Sequence, residues 1–452
     1  MKHISVIGLG KLGSPMAAAI AARGFQVTGV DLNPQKVDCL KRGVAPVKEP
    51  GLTELIQEAG SNLAATTNTA EAVHESEATF VVVATPSEET GGFSLQYALP
   101  TCEAIGRSIA TKKQYHLVVL TSTVMPGSTG GPVKDALERA SGKKCGKDFG
   151  LCYSPEFIAL GTVIRDFYNP DFLLIGESDK RAGDTLAELY KIICKNAPPM
   201  ARMNFINAEI TKLAVNTYIT TKISYANMLA RLCEKLAGAD VNVVTDALGL
   251  DTRIGAKYLK GAVSYGGPCF PRDNRALAAL AARVGASSGL AEATDRFNRA
   301  QIKSLAEIVK AERSGDETIG ILGLTYKPNT DVVEEAFGLL LAQELTAAKL
   351  PVVVFDPLAD VERVTSACKG ARFAKNAEEC IAAAGVVVVA TPWQEFGKVP
   401  AQQWSRTGSP RVVIDCWRSL GNLAAQDGVR YVRLGFGETS KQLAAQGAHS
   451  AD

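Results

Sequence analysis

The opening residues constrain the fold more than any other stretch. Ile4-Ser5-Val6-Ile7 reads as a short buried strand. It runs straight into Gly8-Leu9-Gly10-Lys11-Leu12-Gly13 and then into an alanine-rich helical run, residues 14–23. Strand, G-x-G-x-x-G turn and helix in that order form a dinucleotide-binding unit. Gly8 permits the tight turn, Gly10 lets a pyrophosphate approach the backbone across Lys11 and Leu12, and Gly13 lets the helix pack on the strand. The helix N-terminus then offers free N–H groups and a favourable dipole to the phosphates. A second strand, Gln26-Val27-Thr28-Gly29-Val30, ends in Asp31. An acid there accepts hydrogen bonds from the adenosine ribose and repels a 2′-phosphate, so NAD is expected over NADP. Lys36 nearby is a second candidate contact, for an adenosine phosphate or ribose.

The strand–helix alternation continues. Strands are expected at residues 79–84, 116–120, 148–153 and 171–176, the first closed by the turn Thr85-Pro86 and the second by Thr121-Ser122-Thr123. Ligands bind at the carboxyl ends of parallel strands, so Thr123, and Glu156 in the turn Ser154-Pro155-Glu156-Phe157, are expected near the nicotinamide end. Both residue types also occur in plain turns. Residues 208–235 form one long helical pattern and 241–249 a short one. A second strand–helix alternation starts at residue 318, after the polar break Arg313-Ser314-Gly315-Asp316. The expected fold is α/β: two Rossmann-like doubly wound parallel-sheet domains joined by a long central helix. At 452 residues and 46% hydrophobic content the chain has room for two or three domains. The boundaries read 1–200 for the NAD-binding domain, 201–312 for a central helical dimerisation domain, and 313–452 for the C-terminal domain. The small, polar tail after Gly437 is expected to fray.

Net charge is +2, which gives no reason to expect nucleic acid or a membrane surface as partner. No leader peptide and no apolar run of about 18 residues is visible. Ten cysteines stand as scattered singles beside four histidines, with no CxxC pair. That pattern predicts reduced thiols in a cytoplasmic protein and no metal site. Cys269 differs from the others in its setting, Ser264-Tyr265-Gly266-Gly267-Pro268-Cys269-Phe270-Pro271-Arg272-Asp273, which reads as a fixed loop. On the long helix Lys212 and Asn216 lie one turn apart, a positive charge and an amide donor suited to an oxyanion. A thiol is superfluous for oxidising an alcohol, but it serves to take the aldehyde further through a thiohemiacetal and a thioester. Cys269 would be the nucleophile, Lys212 and Asn216 the oxyanion holders, and Glu156 and Thr123 the orienters of water. Asp273 would position or deprotonate its partners.

These segments resemble the UDP-glucose/GDP-mannose dehydrogenase family over nearly the whole chain. The resemblance is carried by residues 8–13 with Asp31, Lys48-Glu49-Pro50-Gly51-Leu52, Ser122-Thr123-Val124-Met125-Pro126-Gly127, Pro155-Glu156-Phe157, the Lys212/Asn216 pair, residues 253–273, and residues 323–331. It implies oxidation of a nucleotide-sugar C6 hydroxyl to a carboxylate with two NAD consumed, in a homodimer or higher homo-oligomer. It further implies a nucleotide-sugar pocket lined by Phe157, Ile158, Tyr258, Lys260, Tyr265 and Gly266. Lys327 and Arg418 would approach from the C-terminal domain, Arg253 would reach the partner subunit's site, and Arg272 would lie at the cofactor. The chain departs from the family pattern at Leu160, where an acid is usual, and at Pro268, Arg272 and Glu334. UDP-glucose is the expected substrate, with GDP-mannose and UDP-N-acetylglucosamine as alternatives. Two other classes compete: a two-electron hydroxyacid dehydrogenase, which needs neither the thiol nor the second sheet, and a non-catalytic nucleotide-sugar sensor.

Overall fold

The computed structural model describes residues 1–438, so the tail expected to fray lies almost wholly outside the described residues. The chain divides into two compact units. The first comprises residues 1–215 with 279–286, and the second comprises residues 216–278 with the described residues from 287 onward.

The first unit is built on eight strands: β1 (His3–Ile7), β2 (Gln26–Val30), β3 (Leu63–Thr66), β4 (Ala78–Val81), β5 (Leu117–Leu120), β6 (Gly150–Tyr153), β7 (Leu173–Glu177) and β8 (Met200–Met203). They are ordered β3-β2-β1-β4-β5-β6-β7-β8. All neighbours pair in parallel except β6 and β7, which run antiparallel. The strands are nearly continuous apolar runs because helices cover both faces of the sheet. Their period-two alternation sorts the side chains between two cores. Ile4, Val6, Phe80, Leu117 and Val119 face one core, while Ile7, Val81, Val118 and Leu120 face the other.

The second unit holds six parallel strands: β9 (Ile319–Leu322), β10 (Val352–Phe355), β11 (Ala371–Phe373), β12 (Val386–Val389), β13 (Arg411–Asp415) and β14 (Val429–Arg433). Their order is β11-β10-β9-β12-β13-β14, which repeats that of the first six strands of the other sheet. In both, the chain reverses direction across the sheet beside the first strand, the crevice where such folds bind nucleotides. Among the described residues no helix is long and apolar enough to cross a membrane.

The long helix runs Phe205–Cys233, three residues earlier at its start than its apolar pattern suggests. One expected loop is partly helical. Residues 270–273 are the first turn of the helix Phe270–Val284. Pro271 does not prevent this, because a first-turn N–H has no intrahelical partner to lose.

Candidate active site

In the first unit the dinucleotide cradle follows from glycine geometry. Gly8 has φ of +102°, and a Cβ there would stand 2.5 Å from the Val82 carbonyl oxygen. A Cβ on Gly13 would stand 1.8 Å from the Gly8 carbonyl oxygen, so only glycine lets the helix Gly13–Ala22 meet the strand so closely. At Gly10 a Cβ would point into open space, where a ligand can lie against bare backbone. No side chain caps the helix N-terminus. Asp31 anchors the turn: its carboxylate accepts from Leu9 N at 2.8 Å and Asn33 N at 2.9 Å, and pairs with Lys36 Nζ at 3.2 Å. Lys36, the second candidate contact for the adenosine end, thus stands at the same turn as Asp31. The Thr85 hydroxyl donates to the Thr123 carbonyl at 2.7 Å, joining the loops that follow β4 and β5.

Glu156 follows β6. Its carboxylate accepts from the Tyr190 hydroxyl at 3.3 Å, and its backbone carbonyl accepts from Lys212 Nζ at 2.6 Å. The same ammonium lies 4.4 Å from the centre of the Phe157 ring, which packs on Phe172 at 4.7 Å. Burial pushes the Glu156 carboxyl up to about 7, against the opposing pull of Lys212 and the Tyr190 hydroxyl. That value suits a group that must take up and release protons near neutrality. Ile158 is half-buried in the same loop.

In the second unit Cys269 alone of the ten cysteines is exposed, and all ten are free thiols. Its carbonyl accepts from Asp273 N at 2.8 Å, so the thiol stands at the N-terminus of Phe270–Val284. The positive end of a helix dipole favours negative charge on a side chain there. Asp273 is fully buried: Asn216 Nδ2 donates to its Oδ2 at 2.6 Å and Arg272 Nε to its Oδ1 at 3.1 Å. Lys212 and Asn216, consecutive turns of one helix, thus hold partners in different units.

The approach to Cys269 is shaped by polar side chains that sequence reasoning passed over. Asn298 takes the Tyr265 N–H at 2.8 Å and gives to its carbonyl at 2.9 Å, acting as a one-residue strand partner. Asn227 does the same for Ala262 N and the Val263 carbonyl, both at 2.8 Å. Asn274 Nδ2 bonds the Thr220 hydroxyl at 2.9 Å and the Phe270 carbonyl. The detectable signal was a run of polar residues at helical spacing, Thr220-Ser224-Asn227 on one helix and Thr294-Asn298-Gln301 on another, all buried in the fold, where a buried amide must find partners. The glycines before the thiol are forced: a Cβ on Gly266 would meet the Glu335 carbonyl at 2.2 Å, and Gly267, with φ of +82°, abuts the Tyr326 ring. Glu334, a departure from the family pattern, uses its carbonyl to accept from Gly267 N at 3.1 Å.

The other expected substrate residues are dispersed within the second unit. Tyr265 is buried, edge-on to Phe270 at 6.2 Å, and Lys260 is exposed. Tyr258 and Arg418 hold left-handed backbone, φ of 64° and 55°, a strain that clusters at functional positions. The Arg418 guanidinium is engaged by Asp240 at 2.6 Å and by the Leu434 carbonyl. Lys327 lies near the Tyr326 ring, and Arg253 is exposed and paired with Asp251 at 2.6 Å.

The second sheet carries a reworked copy of the cradle. Gly323 has φ of +94°, a Cβ on Gly338 would stand 2.0 Å from the Gly323 carbonyl, and Asp356 accepts from Leu324 N at 2.7 Å, as Asp31 does from Leu9. The run Val-Val-Val-Ala-Thr-Pro occurs at both 81–86 and 387–392, a repeat that could have revealed this from sequence. Here, however, Thr325 and the Trp393 indole also donate to Asp356, which is buried and fully committed to the fold.

The dinucleotide cradle of the first unit is that of an NAD-dependent oxidoreductase. Residues 2–194, 206–300 and 320–422 match in turn the NAD binding domain, the central domain and the UDP binding domain of the UDP-glucose/GDP-mannose dehydrogenase family, to which this chain belongs. It is 36% identical over 398 residues to the UDP-glucose 6-dehydrogenase AglM of Haloferax volcanii, covering 87% of this chain and 92% of that one. It is 34% identical to the GDP-mannose 6-dehydrogenase of Pseudomonas syringae pv. tomato, over 81% of this chain and 83% of the other. The solved structure of a UDP-glucose dehydrogenase from Pyrobaculum islandicum superposes with a TM-score of 0.86 at 31% identity, covering 97% and 98% of the two chains. The family is one of NAD-dependent nucleotide-sugar 6-dehydrogenases, and the cofactor is NAD.

Proposed function

We propose that this enzyme oxidises the C6 hydroxyl of UDP-glucose to the carboxylate, through a covalent intermediate on Cys269. The observation that supports it most directly is the thiol itself: the one exposed cysteine of ten, set at a helix N-terminus. The cradle from Gly8 to Gly13 with Asp31 holds NAD, which supplies a hydride acceptor twice per sugar. Lys36, Thr85, Pro86 and Arg272 are assigned to the same ligand. After the alcohol has become an aldehyde, the Cys269 thiol gives up its proton to solvent and the thiolate adds to the aldehyde carbon, forming a C–S bond and, as the C=O π bond opens, a thiohemiacetal oxyanion. Lys212 and Asn216 stabilise that oxyanion by charge and by an N–H. Loss of the second hydride leaves a thioester. Water, oriented by Thr123 and deprotonated by Glu156, attacks the thioester carbon, the C–S bond breaks, and carboxylate and thiol are released. Asp273 holds Asn216 in place.

The Pro155-Glu156-Phe157 segment favours a glucose- or mannose-type substrate, and similarity to the UDP-glucose 6-dehydrogenase of Haloferax volcanii supports UDP-glucose among these. The remaining substrate assignments, including Arg253, Tyr258, Lys260, Lys327 and Arg418, and the three-part division 1–200, 201–312 and 313–452, belong to the same proposal. Tyr218, Tyr225, Met228 and Leu232 form an exposed apolar stripe on one face of the long helix, which supports a homodimer. Ten free thiols suit the reducing cytoplasm. The deciding experiment is a panel of nucleotide sugars assayed for NADH. Two NADH per UDP-glucose with a C6 carboxylate is expected. Turnover of GDP-mannose or UDP-N-acetylglucosamine alone would reassign the substrate, and one NADH per sugar would eliminate the thioester route.

A further inference from the structure

The segment Lys48-Glu49-Pro50-Gly51-Leu52 and the buried Glu209 have no part in the chemistry above, yet each ends in the same unusual arrangement. Glu209 is fully buried on the long helix. Its two carboxylate oxygens accept from two backbone groups of the loop after β5, Gly127 N at 2.6 Å and Thr129 N at 2.7 Å. Glu49 does the same to the loop after β6, taking Gly161 N and Val163 N, both at 2.8 Å. Each bonded pair begins at a glycine in left-handed conformation, Gly127 with φ of +96° and Gly161 with φ of +84°. These loops carry Thr123 and Glu156.

We propose that Glu49 and Glu209 are positioning residues, a matched pair of carboxylate clamps that fix the Thr123 and Glu156 loops in their working geometry. Only a carboxylate offers two acceptor oxygens at that spacing, and bonds from N–H to an ionised acceptor are about twice as strong as neutral ones. A glutamine keeps the shape but turns an NH2 group toward one of the two donors, so one bond is replaced by a donor–donor conflict. The long helix braces both loops at once. Glu209 holds the first, and Lys212, one turn on, holds the second through the Glu156 carbonyl. Glu156 is thereby fixed on one side by Lys212 and on the other by Glu49, five to seven residues downstream. Its enclosure depends on this bracing. The titratable groups facing it are Lys212 and Tyr190, with Cys194 nearby.

What Thr123 and Glu156 then do rests on the proposed reaction, so the test has an arm that does not. In the full-length enzyme, Glu49→Gln and Glu209→Gln are compared by amide hydrogen exchange and by steady-state kinetics. Exchange should rise at residues 156–163 in the first variant only and at 122–129 in the second only. With nucleotide sugar and NAD, kcat should fall about tenfold or more in both, as expected for a lost charge-assisted bond, while the KM for NAD changes little. In Glu49→Gln alone the acid limb of the kcat profile should move to lower pH, because water reaches Glu156. Should Glu209→Gln not fold, Glu209→Asp, which keeps the charge but withdraws it by one methylene, carries the same expectation. Unchanged exchange in both loops would overturn the clamps. Raised exchange with unchanged kcat would reduce them to structural ties. Altered exchange in an enzyme inactive on every sugar would leave the clamps standing and sink the reaction.

Discussion

Glu156 gives the sharpest quantitative prediction. Its carboxyl is pushed from 4.5 to about 7 by burial, with Lys212 and the Tyr190 hydroxyl pulling the other way. A shift of that size corresponds to about 3 kcal/mol between the protonated and ionised forms. As a base toward water the group must be ionised, so kcat should rise with pH through an inflection near 7. Tyr190→Phe removes a donor to the ionised form. A bond to a charged group contributes about 1.5–3 kcal/mol at good geometry, and 3.3 Å is long. About 1 kcal/mol is expected, which moves the acid limb up by roughly 0.7 pH unit. Stability carries the opposite sign. The folded protein holds a proton on Glu156 between pH 4.5 and about 7 that the unfolded chain has released, so this group's contribution to stability falls as pH rises through that window. Glu156→Gln should therefore be inactive yet more stable than wild type at pH 8, by up to about 3 kcal/mol, read from the two denaturation midpoints. An inflection near 4.5, no shift in Tyr190→Phe, and no stability gain in Glu156→Gln would together refute burial as the cause.

Three further expectations follow from other parts of the molecule. Cys269→Ser should abolish steady-state turnover and leave NAD affinity within about twofold by fluorescence titration; normal turnover in that variant removes the nucleophile. His116 is fully buried, and burial together with the Lys112 charge pushes it down to about 3. It stays neutral in the folded state while the unfolded chain protonates near pH 6.5. Stability should thus drop by about 1.4 kcal/mol per pH unit below that point from this residue, and His116→Gln should flatten the slope measured by urea midpoints at pH 6.5, 5.5 and 4.5. Leu232→Asp on the exposed stripe of the long helix should yield monomers in sedimentation velocity, and an unchanged dimer would place the interface elsewhere.

Much of this protein is legible in one dimension, for reasons that differ by segment. The Gly8–Gly13 turn is local: three glycines at fixed spacing answer three steric demands within one strand–turn–helix, so the chain states its own geometry. The same holds for Gly266-Gly267-Pro268-Cys269, although the sequence alone hid that a helix begins one residue later, because Pro271 signals a break except in a first turn. The antiparallel entry of β7 was not visible, since an apolar strand reads alike in either direction.

The positions of most side chains were fixed by partners far along the chain. The sequence around Asn227, Asn298 and Glu49 does not say which groups they bind. Their roles arise only when folding brings backbone N–H groups that have no strand neighbour within reach of a buried amide or carboxylate. For Lys36 the fold adds a partner to a local signal: its sequence placement suggests a ligand contact, and folding sets its ammonium on the Asp31 carboxylate at the same turn. Sequence determined the two nucleotide-type sheets, the NAD preference and the thiol, because those depend on residues within a few positions of one another. Tertiary structure decided the protonation range of Glu156, the twin carboxylate clamps and the commitment of Asp356 to the fold, because desolvation and long-range hydrogen bonds exist only once the chain has closed around them.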